Sequence, residues 1–206
     1  MGLLDLNAFA ETPLVVDPFD YTVVPGFLCA ESVVSVRRDF PVISYPGLLP
    51  LAETQYGPGF AALIEELRSP EVTAAFSEKF GIDLAGRPLM ITVRGRCQAK
   101  DGRIHTDTES KLVTGLLYLN DPWEADGGRL RLLRGPDDLE DMIAEVPPNN
   151  GTLVAFRRGD RSYHGHRPYE GVRRYVMFNW MTDRRVAARE IARHRISARL
   201  KRWTAA

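Results

Sequence analysis

A chain of 206 residues is long enough for one domain with a real hydrophobic core, and a second independent domain would be cramped. Hydrophobic residues at 44% and charged residues at 26% are those of an ordinary globular protein and exclude a mainly disordered chain. The 27 basic and 27 acidic side chains cancel, so no global field draws the protein onto nucleic acid or an anionic membrane.

The chain opens on MGLLDLNAFAETPL, where Asp5 interrupts the apolar stretch and no basic residue precedes it, so this is not the pattern of a signal peptide. Residues 1–87 read as mostly helical support. Helical periodicity covers 30–40 and 61–67, and a further helix opens with Ser69 as N-cap and Pro70 at its first position. From residue 88 to 181 the character changes to short runs of Val, Leu, Ile and aromatic residues bounded by Gly, Asp, Asn or Pro. These predict strands at 88–98, 112–120, 128–134, 151–157, 162–166 and 173–181. Closely spaced strands behind a helical layer predict an α+β, mainly β fold: a double-stranded β-helix, or jelly roll, with supporting N-terminal helices.

Residues 182–206 predict a basic C-terminal helix. Eight Arg or Lys face only Asp183 and Glu190 there, and Ile196, Leu200 and Trp203 form an apolar edge that offers a homodimer contact. Such a charge run is usually a wet helix face, and nothing interleaves it with aromatics as nucleic-acid binding would require. Cys29 and Cys97 stand far apart with no C-x-x-C, which points away from a disulfide framework or a thiolate zinc site and fits a reducing compartment. No apolar run reaches the ~18–20 residues of a membrane helix, so the expectation is a cytoplasmic protein.

The segment Ile104-His105-Thr106-Asp107-Thr108 places an imidazole and a carboxylate two residues apart, on one face of an extended chain. Further along, Ser162-Tyr163-His164-Gly165-His166 supplies a third ligand. Two His and one carboxylate leave an octahedral iron(II) three open positions, whereas a structural zinc would close four.

Six pieces in order carry a resemblance: HTD, LLYLND followed by Trp123, DGGRLRLL, GTLVAF, a His with Pro168 four residues on, and RRYVMFNW. Over about residues 88–181 the sequence resembles the prolyl-4-hydroxylase-like branch of the 2-oxoglutarate/Fe(II) dioxygenases. The resemblance implies that His105, Asp107 and His164 bind Fe(II), with His166 the competitor for the third place. It implies 2-oxoglutarate and O2 as cosubstrates, with ascorbate as a reductant. Tyr118 would hydrogen-bond the remote carboxylate of 2-oxoglutarate, and a basic residue nine or ten positions past the distal His would anchor it. Both Arg173 and Arg174 qualify, only one can point inward from a strand, and the family's aromatic residue directly after the anchor favours Arg174. Gly127-Gly128 would serve a tight turn or close backbone approach, and Arg94, Arg96, Gln98 and Arg103 lie where an anionic substrate could be met.

The activity implied is oxidative decarboxylation of 2-oxoglutarate to succinate coupled to hydroxylation of a prolyl residue, an amino acid or a small metabolite. Asp107 stands where related halogenases lack a carboxylate, which favours hydroxylation. The competing reading is a non-redox jelly roll, either a metal-assisted isomerase or a sugar-binding module, which gives the Arg past the distal His no task.

Overall fold

The computed structural model describes residues 2–204, with side chains as far as Ser197. Among these residues the strands form two sheets, one of them backed by helices.

The N-terminal third supplies the helical layer. Helix α1 (Leu6–Glu11) starts at Asp5, whose carboxylate accepts from the Ala8 N–H at 2.8 Å, so the acid that interrupts the first apolar stretch is a cap. Helix α2 (Ala30–Arg38) and α3 (Pro58–Leu67) follow, the second with Pro58 at its start. Helix α4 (Pro70–Phe80) begins as expected, with the Ser69 hydroxyl accepting from Val72 N–H at 3.2 Å, and ends at Gly81 in the left-handed conformation, φ 58°. Phe9, Phe60, Leu63, Leu67, Phe76 and Phe80 turn inward from these helices. Each such side chain contributes about 1.5–3 kcal/mol by leaving water.

They cover one face of a six-stranded antiparallel sheet built from β1 (Tyr21–Val24), β2 (Leu49–Pro50), β3 (Leu89–Cys97), β4 (Lys111–Tyr118), β7 (Leu153–Arg157) and β9 (Gly171–Met181). Its order is β1-β7-β4-β9-β3-β2. Val93, Val113, Leu117, Val176, Phe178 and Trp180 point to the helices. Leu116, Tyr118, Val154, Phe156, Tyr175 and Met177 point the other way, to a second core. There a three-stranded sheet, β6 (Met142–Val146), β5 (Leu130–Leu133) and β8 (His164–Gly165), contributes Leu130, Leu132 and Val146. Two sheets face to face, the larger backed by helices, make the jelly-roll core expected from the strand spacing.

Five of the named elements depart from expectation. The strand predicted at 162–166 shrinks to His164–Gly165, and α1, β1, β2 and β6 were not anticipated. All are short, and β6 begins at a partly exposed Met142, so neither length nor alternation marks them. Helix α5 (Arg184–Thr204) forms as predicted but packs through Val186, Ala187 and Ile191 on Met90 and Met181. Ile196 is 62% exposed, and the Leu200 and Trp203 part of the expected edge lies outside the described side chains. Among the described residues no helix is long and apolar enough to cross a membrane.

Candidate active site

Between the two sheets lies a cleft of about 170 Å³ whose walls include His105, Asp107, Lys111, Thr114, Tyr118, His164, Arg173 and Tyr175. Its metal-binding corner is built by backbone pairing. His105 and His164 form an isolated antiparallel bridge, donating to each other's carbonyl at 3.0 and 2.9 Å, so their side chains leave the same face. The imidazole centroids lie 4.3 Å apart. Asp107, two residues past His105 in extended chain, joins them on that face. One ligand atom from each of the three residues lies within 4.8 Å of the others.

The ring nitrogens are presorted. His105 Nδ1 lies 2.9 Å from the Arg103 carbonyl and His164 Nδ1 lies 3.0 Å from the Ser162 carbonyl. A carbonyl only accepts, so each Nδ1 carries the proton and each Nε2 keeps its lone pair for a metal. Burial pushes the His164 imidazole down to about 4, which keeps it neutral and able to ligate. Burial would raise the Asp107 carboxyl, but the Lys111 ammonium, His164 and hydrogen bonds from Lys111 and Thr114 outweigh it and hold it down to about 2. Two imidazoles that turn Nε2 to the corner and one carboxylate, with three sites left open, suit iron(II). His166, the competitor, aims Nδ1 at the Arg167 carbonyl at 2.8 Å and stands outside the cluster.

At the other end of the cleft sits Arg173, 2% exposed. Its Nε donates to the Gly128 carbonyl at 2.7 Å, its Nη2 to the Tyr118 hydroxyl at 3.4 Å, and its guanidinium lies 5.3 and 5.1 Å from the Tyr118 and Tyr175 ring centroids. Among the described residues no carboxylate pairs with it. A buried guanidinium held by neutral groups alone is costly and calls for an anion. Burial pushes the Tyr118 phenol up to about 12, so it remains a hydroxyl. Because Arg173 donates to its oxygen, the phenolic proton is left to be donated onward.

The expectation that Arg174 points inward is corrected. Tyr118 pairs directly with Tyr175 across β4 and β9, so Tyr175, and Arg173 two residues earlier, share its face. Arg174 faces away, into a shallow surface groove with Asp121, Trp123 and Tyr169. Its backbone is clamped by Asn120, whose Oδ1 accepts from Arg174 N–H at 2.6 Å and whose Nδ2 donates to the Arg174 carbonyl at 3.0 Å. The Gly pair sits where expected. A Cβ on Gly127 would run into the Pro168 carbonyl, and Gly128, at φ 79°, presents the carbonyl that accepts from Arg173.

Of the four polar residues ahead of His105, only Arg94 lines the cleft, and it is ion-paired to Asp101. Arg96, Gln98 and Arg103 do not line it. Lys111, Asn179 and the contact of Thr114 with Asp107 were not read from the sequence. Lys111 Nζ lies 2.8 Å from Asp107 Oδ1, Thr114 donates to Asp107 Oδ2, and Asn179 Nδ2 donates to Thr114 at 2.8 Å. The available signal was a Lys four residues past the carboxylate and an Asn inside the apolar run 175–181.

Comparison with known proteins agrees with this geometry. Residues 96–182 match the model of the 2OG-Fe(II) oxygenase superfamily. Among solved structures, a prolyl-4-hydroxylase of Pseudomonas putida is similar at 19% identity, covering 85% of this chain and 90% of that one with a TM-score of 0.55. The viral collagen prolyl hydroxylase of Paramecium Bursaria Chlorella virus-1 is similar at 16% identity, covering 82% and 99% with a TM-score of 0.56. HygX from Streptomyces hygroscopicus, solved with nickel and 2-oxoglutarate, is similar at 18% identity, covering 78% and 81% with a TM-score of 0.50. The curated proteins offer no match.

Proposed function

We propose that this chain, whose residues 96–182 match the model of the 2OG-Fe(II) oxygenase superfamily, is such an enzyme and couples oxidative decarboxylation of 2-oxoglutarate to hydroxylation of an organic substrate. The observation that carries the reading is Arg173: a buried guanidinium without a carboxylate partner among the described residues, in the same cleft as two imidazoles and a carboxylate. A dicarboxylate that chelates a metal at one end and meets Arg173 at the other satisfies both ends of the cleft.

In this reading His105, Asp107 and His164 hold Fe(II), which when bound supplies the site where 2-oxoglutarate and O2 meet and react. Arg173 grips the remote carboxylate through its planar guanidinium, and Tyr118 donates its phenolic proton to the same group. Leu116, Leu130 and Met177 exclude water from the carbon chain between the two ends. The backbone carbonyls of Arg103 and Ser162 hold the two imidazoles in the ligating tautomer. Asp107 fills the position that halogenation would leave to a halide, which favours hydroxylation. A metal-assisted isomerase or a sugar-binding barrel would leave Arg173 and Tyr118 without a ligand. The substrate is an organic molecule such as a prolyl residue, an amino acid or a small metabolite, and the fold likeness does not select among them.

Anaerobic addition of Fe(II) and then 2-oxoglutarate is expected to produce a visible charge-transfer band, and admitting O2 to release succinate. No band at millimolar 2-oxoglutarate would overturn the reading. Succinate formation across a panel of peptides, amino acids and metabolites then identifies the substrate.

A further inference from the structure

Among the described residues five charged side chains line the cleft, Arg94, Lys111 and Arg173 against Asp101 and Asp107. The charges of Fe(II) and of the two carboxylates of 2-oxoglutarate cancel, so the loaded cleft keeps one positive charge. Two of the three cations are committed. Lys111 Nζ lies 2.8 Å from Asp107 Oδ1, and Arg173 stands with Tyr118 where the remote carboxylate of the cosubstrate is placed. Arg94 is the third, on β3 directly opposite Tyr175 of β9. Tyr118 faces Tyr175 from the other side of β9, so Arg94 and Tyr118 stand two strands apart, about 9.5 Å across the sheet. A carboxylate held at Tyr118 leaves Arg94 to another ligand.

The Arg94 side chain is 13% exposed and its hydrogen bonding is incomplete. Nη1 donates to Asp101 Oδ2 and, at 3.6 Å, to the Cys97 sulfur. Nε is buried with no hydrogen-bond partner, and Nη2 makes no hydrogen bond among the described residues. A guanidinium can grip a carboxylate through two nitrogens, but Asp101 is also tied to its own loop, where Oδ2 accepts from Gln98 N–H at 3.1 Å, and it meets Arg94 through one. A buried cation with donors unspent is costly and calls for a further anion.

Resting on the oxygenase reading above, we propose that the substrate is a small organic acid of one net negative charge, whose carboxylate Arg94 receives through Nη2. The charge balance of the cleft then closes. A prolyl residue inside a polypeptide brings no charge and leaves Arg94 unanswered. Arg94 is thus a binding residue that selects the substrate class, and Asp101 competes with the substrate for it.

Protein loaded with Zn(II) and saturating 2-oxoglutarate binds substrate without turnover, so ligand-observed NMR reads the preference directly. The probes are N-acetyl-L-proline, other N-acetyl amino acids and short straight-chain carboxylic acids, each beside its carboxamide, with a blocked prolyl tripeptide for comparison. Free acids are expected to bind about tenfold or more tightly than their carboxamides. Arg94→Gln should erase that preference while 2-oxoglutarate affinity stays within about twofold of wild type. Arg94→Lys should keep part of the preference, and Asp101→Asn, which removes the competing carboxylate, should strengthen it. With Fe(II) and O2, the acids that bind should raise succinate release, and Arg94→Gln should raise KM rather than lower kcat. Free acids that bind no better than their carboxamides or the tripeptide overturn the proposal. So do equal losses in Arg94→Gln and Asp101→Asn, which would reduce the pair to a fastening of the loop. If wild-type protein gives no charge-transfer band with Fe(II) and 2-oxoglutarate, the oxygenase reading fails; a band without a preference for acids defeats this proposal alone.

Discussion

Replacing Arg173 with Met separates the inward from the outward arginine and puts a magnitude on the proposed cosubstrate anchor. Met keeps most of the length of the side chain, so the cleft wall formed with Tyr118 and Tyr175 remains filled. What is lost is a cation held at 2% exposure, where water screens little. Removing one partner of a buried, hydrogen-bonded charge pair costs about 2–5 kcal/mol. At about 1.4 kcal/mol per decade, 2-oxoglutarate should bind about 30- to 4,000-fold more weakly. Tyr118→Phe removes one neutral donor to the same carboxylate, about 1.5–3 kcal/mol or about 10- to 100-fold. Arg174→Met, in the outer groove, should stay within about twofold of wild type. The assay is anaerobic titration of 2-oxoglutarate into Fe(II)-loaded protein, followed by the charge-transfer band. The folded state should not suffer, because Arg173→Met also removes a buried charge without a carboxylate partner. Wild-type affinity in Arg173→Met, or a large loss in Arg174→Met, refutes the assignment.

Two further outcomes test the frame around the site. Asn120 makes three hydrogen bonds from a buried position, to the Pro148 and Arg174 carbonyls and the Arg174 N–H, so Asn120→Ala should cost about 3 kcal/mol in a urea unfolding curve. A loss under about 1 kcal/mol would mean that the clamp on β9 is dispensable. Metal-free protein should also lose stability as pH falls from about 6.5 to about 4. The folded His164 value is depressed from 6.5 to about 4 by burial, so in that window the unfolded chain binds the proton and the folded one does not. At 1.36 kcal/mol per pH unit this amounts to about 3 kcal/mol, and His166, also pushed down to about 4 by burial, adds in the same sense. Unfolding curves of chelator-treated protein at stepped pH read it; a flat profile, or one unchanged in His164→Gln, contradicts the burial argument.

The pairing of His105 with Asp107 was legible because its information is local: H-x-D needs only the two-residue alternation of an extended chain to put both groups on one face. His164 joins them from far along the chain, and the sequence pointed to it only through the Pro168 register of the resembled family. Helix α4 was equally plain from Ser69 and Pro70, since caps act over a single turn. The short strands β1, β2 and β6 carry no such signature. They exist because neighbouring strands already present unpaired edges, which is a property of the assembled sheet.

The arginine pair shows where local reading stops. Strand β9 is buried on both faces: Val176, Phe178 and Trp180 meet the helices, while Tyr175 and Met177 meet the small sheet. Alternation of polar and apolar residues, which normally tells inside from outside, is therefore silent over this strand. The aromatic residue after Arg174 followed a family habit, whereas facing is decided by the partner strand. Tyr118 opposite Tyr175 makes the odd-numbered residues the cleft set. One residue carried a usable hint. Asn179 is the polar member of the apolar run 175–181, and a polar group kept in such a run marks the face with something to bind. Counting back by twos from Asn179 reaches Arg173 and passes over Arg174. The same residue that discloses the parity of the strand is the one whose amide orders Thr114 against Asp107.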